Sequence, residues 1–190
     1  ELAEKQTSDC PPVQHLRELF GELFLTPVDI PESANSISDI PGEAINSLLR
    51  RCGREFLERG WSFEDTLEGP AFVPPESAAE CNPGLRRIRF YAAESGLFAV
   101  AADFAVLREM DPTPRAKGAA MAIPETIGIE PEIPFAMRRF YHPARSVSAV
   151  GLYRISPTEL ADFLRKAVPA VLGLFDPPAD SGSGVVGKFE

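Results

Sequence analysis

The chain has 190 residues, of which 44% are hydrophobic and 25% are charged, with 19 prolines and 14 glycines. That balance is typical of a soluble globular domain and excludes a disordered, collagen-like or coiled-coil chain. The 19 basic and 28 acidic side chains give a net charge of −9, which argues against nucleic acid as a partner and against anionic membrane surfaces.

The length fits one domain, and the composition divides it into three segments. Residues 1–10 are polar and are predicted to be a flexible or docking arm. Residues 11–176 are predicted to form a single α+β domain, and residues 177–190 a flexible Gly/Ser-containing tail. No apolar run reaches the roughly 18 residues of a membrane span. Glu1 stands first instead of Met, so a processed mature chain is one interpretation, and the compartment stays open.

Two amphipathic helices are predicted near the N-terminus. Pro11 and Pro12 suit the first turn of the first helix, which would run to about Leu25. The second would open near Pro41 and end at Gly60. Their apolar stripes have helical spacing and consist of Val13, Leu16, Phe20, Leu23 and Phe24, then of Ile45, Leu48, Leu49, Cys52 and Phe56. Residues 61–84 contain four prolines and are predicted to be extended and irregular.

A β-hairpin follows, because apolar residues alternate with other residues on both sides of a turn at 94–96. Its strands would cover 85–92 and 98–106, although the alanine content leaves a helix as an alternative for 99–110. Residues 111–118 are predicted to be a loop. Residues 119–129 are predicted to be an edge strand, because Pro124 cannot donate a hydrogen bond to a neighbouring strand.

The C-terminal half closes with a second hairpin and a helix. Alternation predicts strands over 135–141 and 146–155. Ser156, Pro157 and Glu159 then form a capping-box pattern, and Pro169 is predicted to kink or end the helix that follows. The resulting fold class is α+β: two N-terminal helices, an antiparallel sheet of about four or five strands, and a C-terminal helix packed on the sheet.

The sequence predicts no catalytic site, metal or cofactor. The two histidines, His15 and His142, have no cluster of ligands beside them in the sequence, and the cysteine spacing matches no zinc motif. Cys52 is predicted to be a core residue, while a bridge between Cys10 and Cys81 is compatible with an oxidising compartment. Residues 182–188 match a phosphate-loop pattern, but Phe189 replaces the Ser or Thr that would bind the metal.

Arginines interleaved with aromatic residues mark the candidate partner-binding surface. Residues 1–84 carry 6 basic and 16 acidic side chains, whereas residues 85–155 carry 10 basic and 7 acidic side chains. Arginine suits bidentate binding to carboxylates or phosphates. The alternative is that these arginines pair within the protein, with its acidic N-terminal half. The candidate residues are Arg87, Arg89, Tyr91, Arg138, Arg139, Tyr141, His142 and Arg145.

The sequence therefore predicts a non-catalytic protein-interaction module, a subunit or accessory factor of a hetero-oligomeric complex. It would dock through its extended termini and an arginine and aromatic sheet face. One alternative is a carrier with an apolar ligand cavity between the sheet and the C-terminal helix. Another is an inhibitor or immunity-type protein that neutralises a basic partner. The last is an enzyme that uses His142 or a cysteine such as Cys81.

Overall fold

The computed structural model describes residues 30–106, 111–140 and 146–176, which contain five α-helices, one short 3-10 helix (Ile37–Asp39) and six strands. The α+β class with a C-terminal helix is confirmed, and the sheet has six strands where four or five were predicted. In chain order the elements are α1 (Gly42–Cys52), α2 (Arg54–Glu58), β1 (Ser62–Thr66), β2 (Gly69–Val73), α3 (Glu76–Cys81), β3 (Leu85–Ala92), β4 (Phe98–Ala105), α4 (Thr113–Ile127), β5 (Ile133–Phe140), β6 (Ser146–Tyr153) and α5 (Leu160–Phe175).

The six strands form one antiparallel sheet in the order β1-β2-β3-β4-β6-β5. The two predicted hairpins are present as β3–β4 and β5–β6, and the strand β4 excludes the helical alternative for residues 99–105. All eight residues of β4 are buried. Because side chains alternate between the faces of a strand, this burial places β4 under cover on both sides.

One face of the sheet packs against the helices through aromatic rings. The Phe163 ring of α5 contacts Phe98, with 5.9 Å between ring centroids, and Tyr153, with 5.1 Å. At the other end of α5, the centroid of Phe175 lies 6.3 Å from that of Phe104. Eight residues of α5 are buried, and each large apolar side chain contributes about 1.5–3 kcal/mol on burial. The C-terminal helix thus packs on this face through Phe163 and Phe175.

Tyr153 carries a buried hydroxyl that has no hydrogen-bond partner among the described residues. Burial raises the pKa of Tyr153, and the negative charge of Glu130 raises it further. The unfolded chain therefore loses this proton first, so stability should fall as the pH rises above about 10, the ordinary tyrosine pKa. We expect Tyr153→Phe to leave stability near neutral pH unchanged or to raise it by up to about 1 kcal/mol, and to weaken the alkaline decline. Urea unfolding of both proteins, near neutral pH and above about pH 10, tests this expectation. A loss of stability above about 1 kcal/mol near neutral pH would contradict it.

The predicted edge strand at 119–129 is wrong, because α4 occupies Thr113–Ile127 and also takes up most of the predicted loop at 111–118. Prolines 112 and 114 stand at the start of the helix, where a missing N–H costs little. The buried side chains of α4 recur at helical spacing: Ala116, Ala119, Ile123 and Ile127. The helix accommodates Pro124 near its end and stops at Gly128, whose φ of 65° suits glycine.

Residues 61–84 were predicted to be irregular, and this prediction is wrong as well. They form the β1–β2 hairpin and the short helix α3. The second predicted helix is present but is divided into α1 and α2 at Gly53. A Cβ on Gly53 would lie 2.5 Å from the Phe72 ring, so only glycine allows β2 to approach this closely. Cys52 is half-buried against the core, as its position on the stripe predicted.

The predicted capping box is only partly formed, because Glu159, and not Ser156, is the N-cap of α5, and no side chain caps the helix. The Ser156 backbone N–H donates to Glu159 Oε2 over 3.1 Å, and the Ser156 hydroxyl donates to the same oxygen over 2.6 Å. These bonds lower the pKa of Glu159. The helix does not end at Pro169 but continues to Phe175, because the buried side chains beyond the proline hold the last turns against the sheet.

Several predictions fall on residues that the structure does not describe: the first helix at 11–25, the arm at 1–10, the tail at 177–190, and Cys10 with its proposed bridge to Cys81. Within the described ranges, no helix is both long enough and apolar enough to cross a bilayer.

Candidate functional site

The second face of the sheet has a different composition, and we call it the helix-free face. No helix of the described ranges packs against it, since the ring contacts and buried cluster of the helices belong to the other face. The strand register places one row of side chains across it: Arg87 on β3, Asp103 on β4, Ser148 on β6 and Arg138 on β5. Residues directly opposite each other in an antiparallel pair point to the same side, so all four share this face.

Asp103 is the centre of a polar cluster on the helix-free face. It is 3% exposed, and its carboxylate accepts hydrogen bonds from Arg87 Nε at 2.8 Å, from an Arg89 terminal nitrogen at 3.0 Å and from Ser148 Oγ at 2.6 Å. Arg89 is itself 6% exposed. A buried carboxylate needs this number of donors, because removal from water costs several kcal/mol per ion.

Glu68, in the turn between β1 and β2, completes the cluster from above. Its carboxylate pairs with Arg87, and its backbone carbonyl accepts from Arg89 at 3.1 Å. Burial lowers the pKa of Arg87, but the hydrogen bonds and charges of Asp103 and Glu68 outweigh burial and leave that pKa raised. Two guanidinium groups and two carboxylates therefore neutralise one another. We call Glu68, Arg87, Arg89, Asp103 and Ser148 the charged cluster.

The charged cluster changes what two predicted site residues can do. Arg89 is buried, so its guanidinium is not offered to a partner in this conformation, and Arg87 is part-exposed but already bonded twice. Intramolecular pairing, the alternative named above, is therefore what the structure shows for both. One of the paired carboxylates belongs to the acidic N-terminal half, and the other, Asp103, lies on the neighbouring strand.

The other predicted site residues lie in three different settings. Tyr91 is half-buried beside Arg89, whose guanidinium carbon lies 5.1 Å from the ring centroid. Arg138 is exposed on β5, three strands away from Arg87 in the sheet order, or about 14 Å at the usual strand spacing. Arg139 belongs to β5, while Tyr141, His142 and Arg145 lie outside the described residues.

Sequence reasoning missed Asp103, Ser148 and Glu68. A signal for Asp103 was present, because it is the one charged residue in the otherwise apolar stretch 97–107. A charge in a strand that is buried on both faces requires a partner of opposite sign on an adjacent strand. The partner could not be named without the register of β3 against β4.

Beside the charged cluster the helix-free face is apolar. Ala99 and Ala101 on β4 lie opposite Leu152 and Val150 on β6. Ala71, Ala99 and Ala101 are fully buried, and Val150 is 7% exposed. These residues stand outside the core cluster formed with the helices. Ala99, Ala101, Val150 and Leu152 therefore form an apolar strip on this face, along β4 and β6.

The described residues include no group of three or more His, Cys, Asp or Glu side chains able to hold a metal ion. A surface cleft of about 230 Å³ lies between α4 and α5, lined in part by Phe104, Arg115 and Phe175. That is smaller than the roughly 300–1,000 Å³ of ordinary small-molecule sites.

The chain matches no protein-family model and no curated protein. Among solved structures it is similar to YbjN of E. coli, described as a candidate transcription regulator, with a TM-score of 0.36 and 9% sequence identity. The similarity covers 75% of this chain and 92% of that chain. A likeness at this level bears on neither family nor function.

Proposed function

We propose that this protein is a non-catalytic interaction module, a subunit or accessory factor of a larger protein assembly, and that it docks its partner beside β5 on the helix-free face. The observation that carries the proposal is the position of Arg138. It is exposed, it forms no ion pair with another described residue, and it lies where the described ranges place no helix. Arg87 and Arg89 are neutralised, so the free positive charge of this face lies at its β5 edge.

The position of β5 at the edge of the sheet also supports docking beside this strand. β5 pairs only with β6 among the described strands, so its outer backbone N–H and C=O groups are available to a further strand. Ile133, which lies opposite Leu152 on the helix-free face, is 47% exposed. Ile133 and Arg138 would suit an extended partner segment that combines apolar with acidic side chains. Arg139, Tyr141, His142 and Arg145 follow along the chain, and their part in this surface stays a prediction from the sequence.

The alternatives have less support. A carrier needs open space between the sheet and the C-terminal helix, but the rings of Phe98, Tyr153 and Phe163 occupy that interface. For an enzyme, His142 lies outside the described residues, and Cys81 is an exposed thiol at the end of α3. An inhibitor of a basic partner would use the acidic N-terminal half, and it belongs to the same class of interaction protein.

Charge reversal at Arg138 tests the proposal. The tagged chain is purified gently from its source, and its assemblies are weighed by native mass spectrometry. We expect a complex heavier than the 20.7 kDa chain. Arg138→Glu should reduce the yield of that complex about tenfold, and added salt should reduce the yield as well. Exposed charges act mainly on association, so the free energy of unfolding should change by less than about 0.5 kcal/mol.

The matched control is Arg54→Glu, which makes the same charge change on α2, where the Arg54 side chain is 79% exposed on the helix side. It should leave the yield of the complex unchanged. Equal losses for both variants would contradict docking at β5. A bare 20.7 kDa chain from the unaltered protein would contradict the subunit proposal, and a chain carrying extra small-molecule mass would favour the carrier.

A further inference from the structure

We propose that the strand that docks beside β5 is β1 of a second copy of this chain, so that copies join edge to edge into one continuous antiparallel sheet. The inference rests on the proposed function, docking at the β5 edge, and it names the partner at that edge. The strand β1 is itself an extended segment that combines apolar with acidic residues, since it contains Phe63, Glu64 and Asp65.

The directions of the strands permit this joint. Every strand is antiparallel to its neighbours in the order β1-β2-β3-β4-β6-β5, so the two edge strands of the six run in opposite directions. A second copy moved sideways across the sheet, with the usual twist between strands, therefore presents its β1 antiparallel to β5. The helices of both copies then stay on the same side of the joined sheet.

Both edges have backbone groups to offer. Among the described strands, β1 pairs only with β2, and β5 pairs only with β6. The outer N–H and C=O groups of an edge strand form a ready template for another strand, and strand addition of this kind supplies affinity through main-chain hydrogen bonds. Each copy therefore carries one edge to give and one to receive.

The two edges differ in charge. The strand β1 contains Glu64 and Asp65 and no basic residue, whereas β5 contains Arg138 and Arg139 and no acidic residue. Like charges on opposed strands destabilise the pair, so the charges oppose both β1–β1 and β5–β5 pairing of two copies. Pairing of β5 with β1 of the next copy brings opposite charges together instead.

Glu64 and Arg138 project from the same face, the helix-free face. The strand register carries this face across the sheet through one row of opposed residues: Glu64, Ala71, Arg89, Ala101, Val150 and Ala136. Arg138 lies two residues beyond Ala136 and so points to the same side. Both charged side chains are exposed, and neither forms an ion pair with another described residue.

The second acidic residue of β1 is already bonded. Asp65 points to the helix side, where its carboxylate accepts a hydrogen bond from Asn46 Nδ2 at 2.8 Å. Glu64 is therefore the carboxylate of β1 that remains for Arg138 of a second copy. A shift of two residues along the strands brings the two residues opposite each other and keeps every side chain on its face.

This register avoids the irregular part of β5. With Glu64 opposite Arg138, residues 62–66, the whole of β1, lie against residues 136–140. Pro134 cannot donate a hydrogen bond to a neighbouring strand, and it stays outside the new ladder. The register shift between Ile133 and Ala136 stays outside it as well. The Cβ atoms of opposed residues lie about 4.5–5.5 Å apart, a separation that glutamate and arginine side chains bridge.

The contact is heterologous, since it joins two different edges, and it repeats from copy to copy as chains or rings. A ladder as short as β1 buries a small area, and small interfaces belong to weak and transient complexes. We therefore expect association that depends on protein concentration and continues beyond a dimer.

Charge exchange between the two edges tests the proposal in the purified full chain. Glu64→Lys places a positive charge opposite Arg138, and Arg138→Glu places a negative charge opposite Glu64. Sedimentation velocity over a series of protein concentrations measures association. It is run at physiological ionic strength, where the repulsion between copies of net charge −9 is screened beyond about 8 Å.

We expect the unaltered chain to associate, and each variant alone to associate about tenfold more weakly. An equimolar mixture of the two variants should recover the association. In that mixture Arg138 of one variant meets Glu64 of the other, and the two exchanged side chains meet at the next contact. Pairing of β5 with β5 would instead leave Glu64→Lys unaffected, and pairing of β1 with β1 would leave Arg138→Glu unaffected.

The matched control is Glu94→Lys, which makes the same charge change in the exposed turn between the inner strands β3 and β4 and should leave association unchanged. Circular dichroism checks that each variant is folded. If Glu64→Lys does not fold, copies carrying Glu64→Cys are mixed with copies carrying Arg138→Cys. Opposed residues of a strand pair are close enough for a disulfide, so peptide mass spectrometry should identify a bridge between positions 64 and 138, and its absence would overturn the proposal.

The outcomes separate this proposal from the proposed function. A pure chain that stays monomeric at every concentration would overturn pairing between copies, as would a mixture that does not recover association. Docking at β5 would still stand if the chain purified from its source formed a heavier complex that Arg138→Glu weakens. A loss of association with Arg138→Glu but not with Glu64→Lys would likewise retain docking at β5 and overturn β1 as the partner.

Discussion

Replacing Asp103 by alanine should destabilise the protein by about 3–5 kcal/mol, the usual cost of removing one partner from a buried ion pair. The side chains of Arg89 and Asp103 are only 7% and 4% exposed, so the guanidinium left behind cannot recover its hydration without unfolding part of the sheet. Ser148, buried beside it, would lose its acceptor as well. Urea unfolding followed by circular dichroism measures the loss, and a change below about 1 kcal/mol would contradict the buried ion pair.

Two comparisons distinguish the loss of stability caused by an unpaired buried charge from the loss caused by changing a side chain as such. Asp162→Ala removes an aspartate from an exposed pair with Arg165, whose side chains are 77% and 69% exposed, and should change stability by less than about 0.5 kcal/mol. The double variant Arg89→Met with Asp103→Val removes both buried charges. It should be more stable than Asp103→Ala, since a well-packed apolar pair often replaces a buried ion pair at little cost.

The same comparison distinguishes a structural from a docking role for Arg89. A side chain that exists to bind a partner can be replaced with little effect on folding, whereas a buried member of the charged cluster cannot. A loss of stability on Arg89→Met alone, relieved by Asp103→Val, would assign Arg89 to the fold. The proposed docking surface would then rest on Arg138 and its neighbours along β5.

The strands were predictable from the sequence because their signal is local. Alternation located both hairpins and placed Arg87 and Arg89 on one side of β3, as the structure shows. The helix α4 was not predicted, because Pro124 was interpreted as an edge-strand residue, while the burial of Ala116, Ala119, Ile123 and Ile127 was the stronger signal. A proline near the end of a helix removes one hydrogen bond, and the packed face outweighs that cost.

The charged cluster could not be predicted from patterns of neighbouring residues in the sequence. Arg87 and Asp103 are 16 residues apart and Asp103 and Ser148 are 45 apart, and they meet only because β4 lies between β3 and β6. Sequence spacing cannot give the strand order, which depends on the packing of both faces. For the same reason the sequence could show that the arginines share a face, but not which of them remain free for a partner.

Asp176, at the end of α5, should be the second most sensitive polar residue. Its carboxylate accepts from Trp61 Nε1 at 2.8 Å and pairs with Arg59 at 2.5 Å, joining parts of the chain more than 110 residues apart. Trp61 is 3% exposed. Asp176→Ala would leave its indole N–H buried and unpaired, and we expect a loss of about 2–3 kcal/mol. The Arg59 side chain is 36% exposed, so its pair with Asp176 adds little.

Asp176→Asn provides the control, because an amide oxygen can still accept from Trp61 while the charge is removed. A negative charge at a helix C-terminus interacts unfavourably with the helix dipole. Removing the charge of Asp176 therefore gains some stability, which offsets part of the stability lost with the Arg59 ion pair. We therefore expect Asp176→Asn to cost less than about 1 kcal/mol. Trp61 is the one tryptophan of the chain, so its fluorescence reports the site directly during urea unfolding. Equal losses for the alanine and asparagine variants would mean that the charge of Asp176, and not its hydrogen bond to Trp61, holds the end of α5 in place.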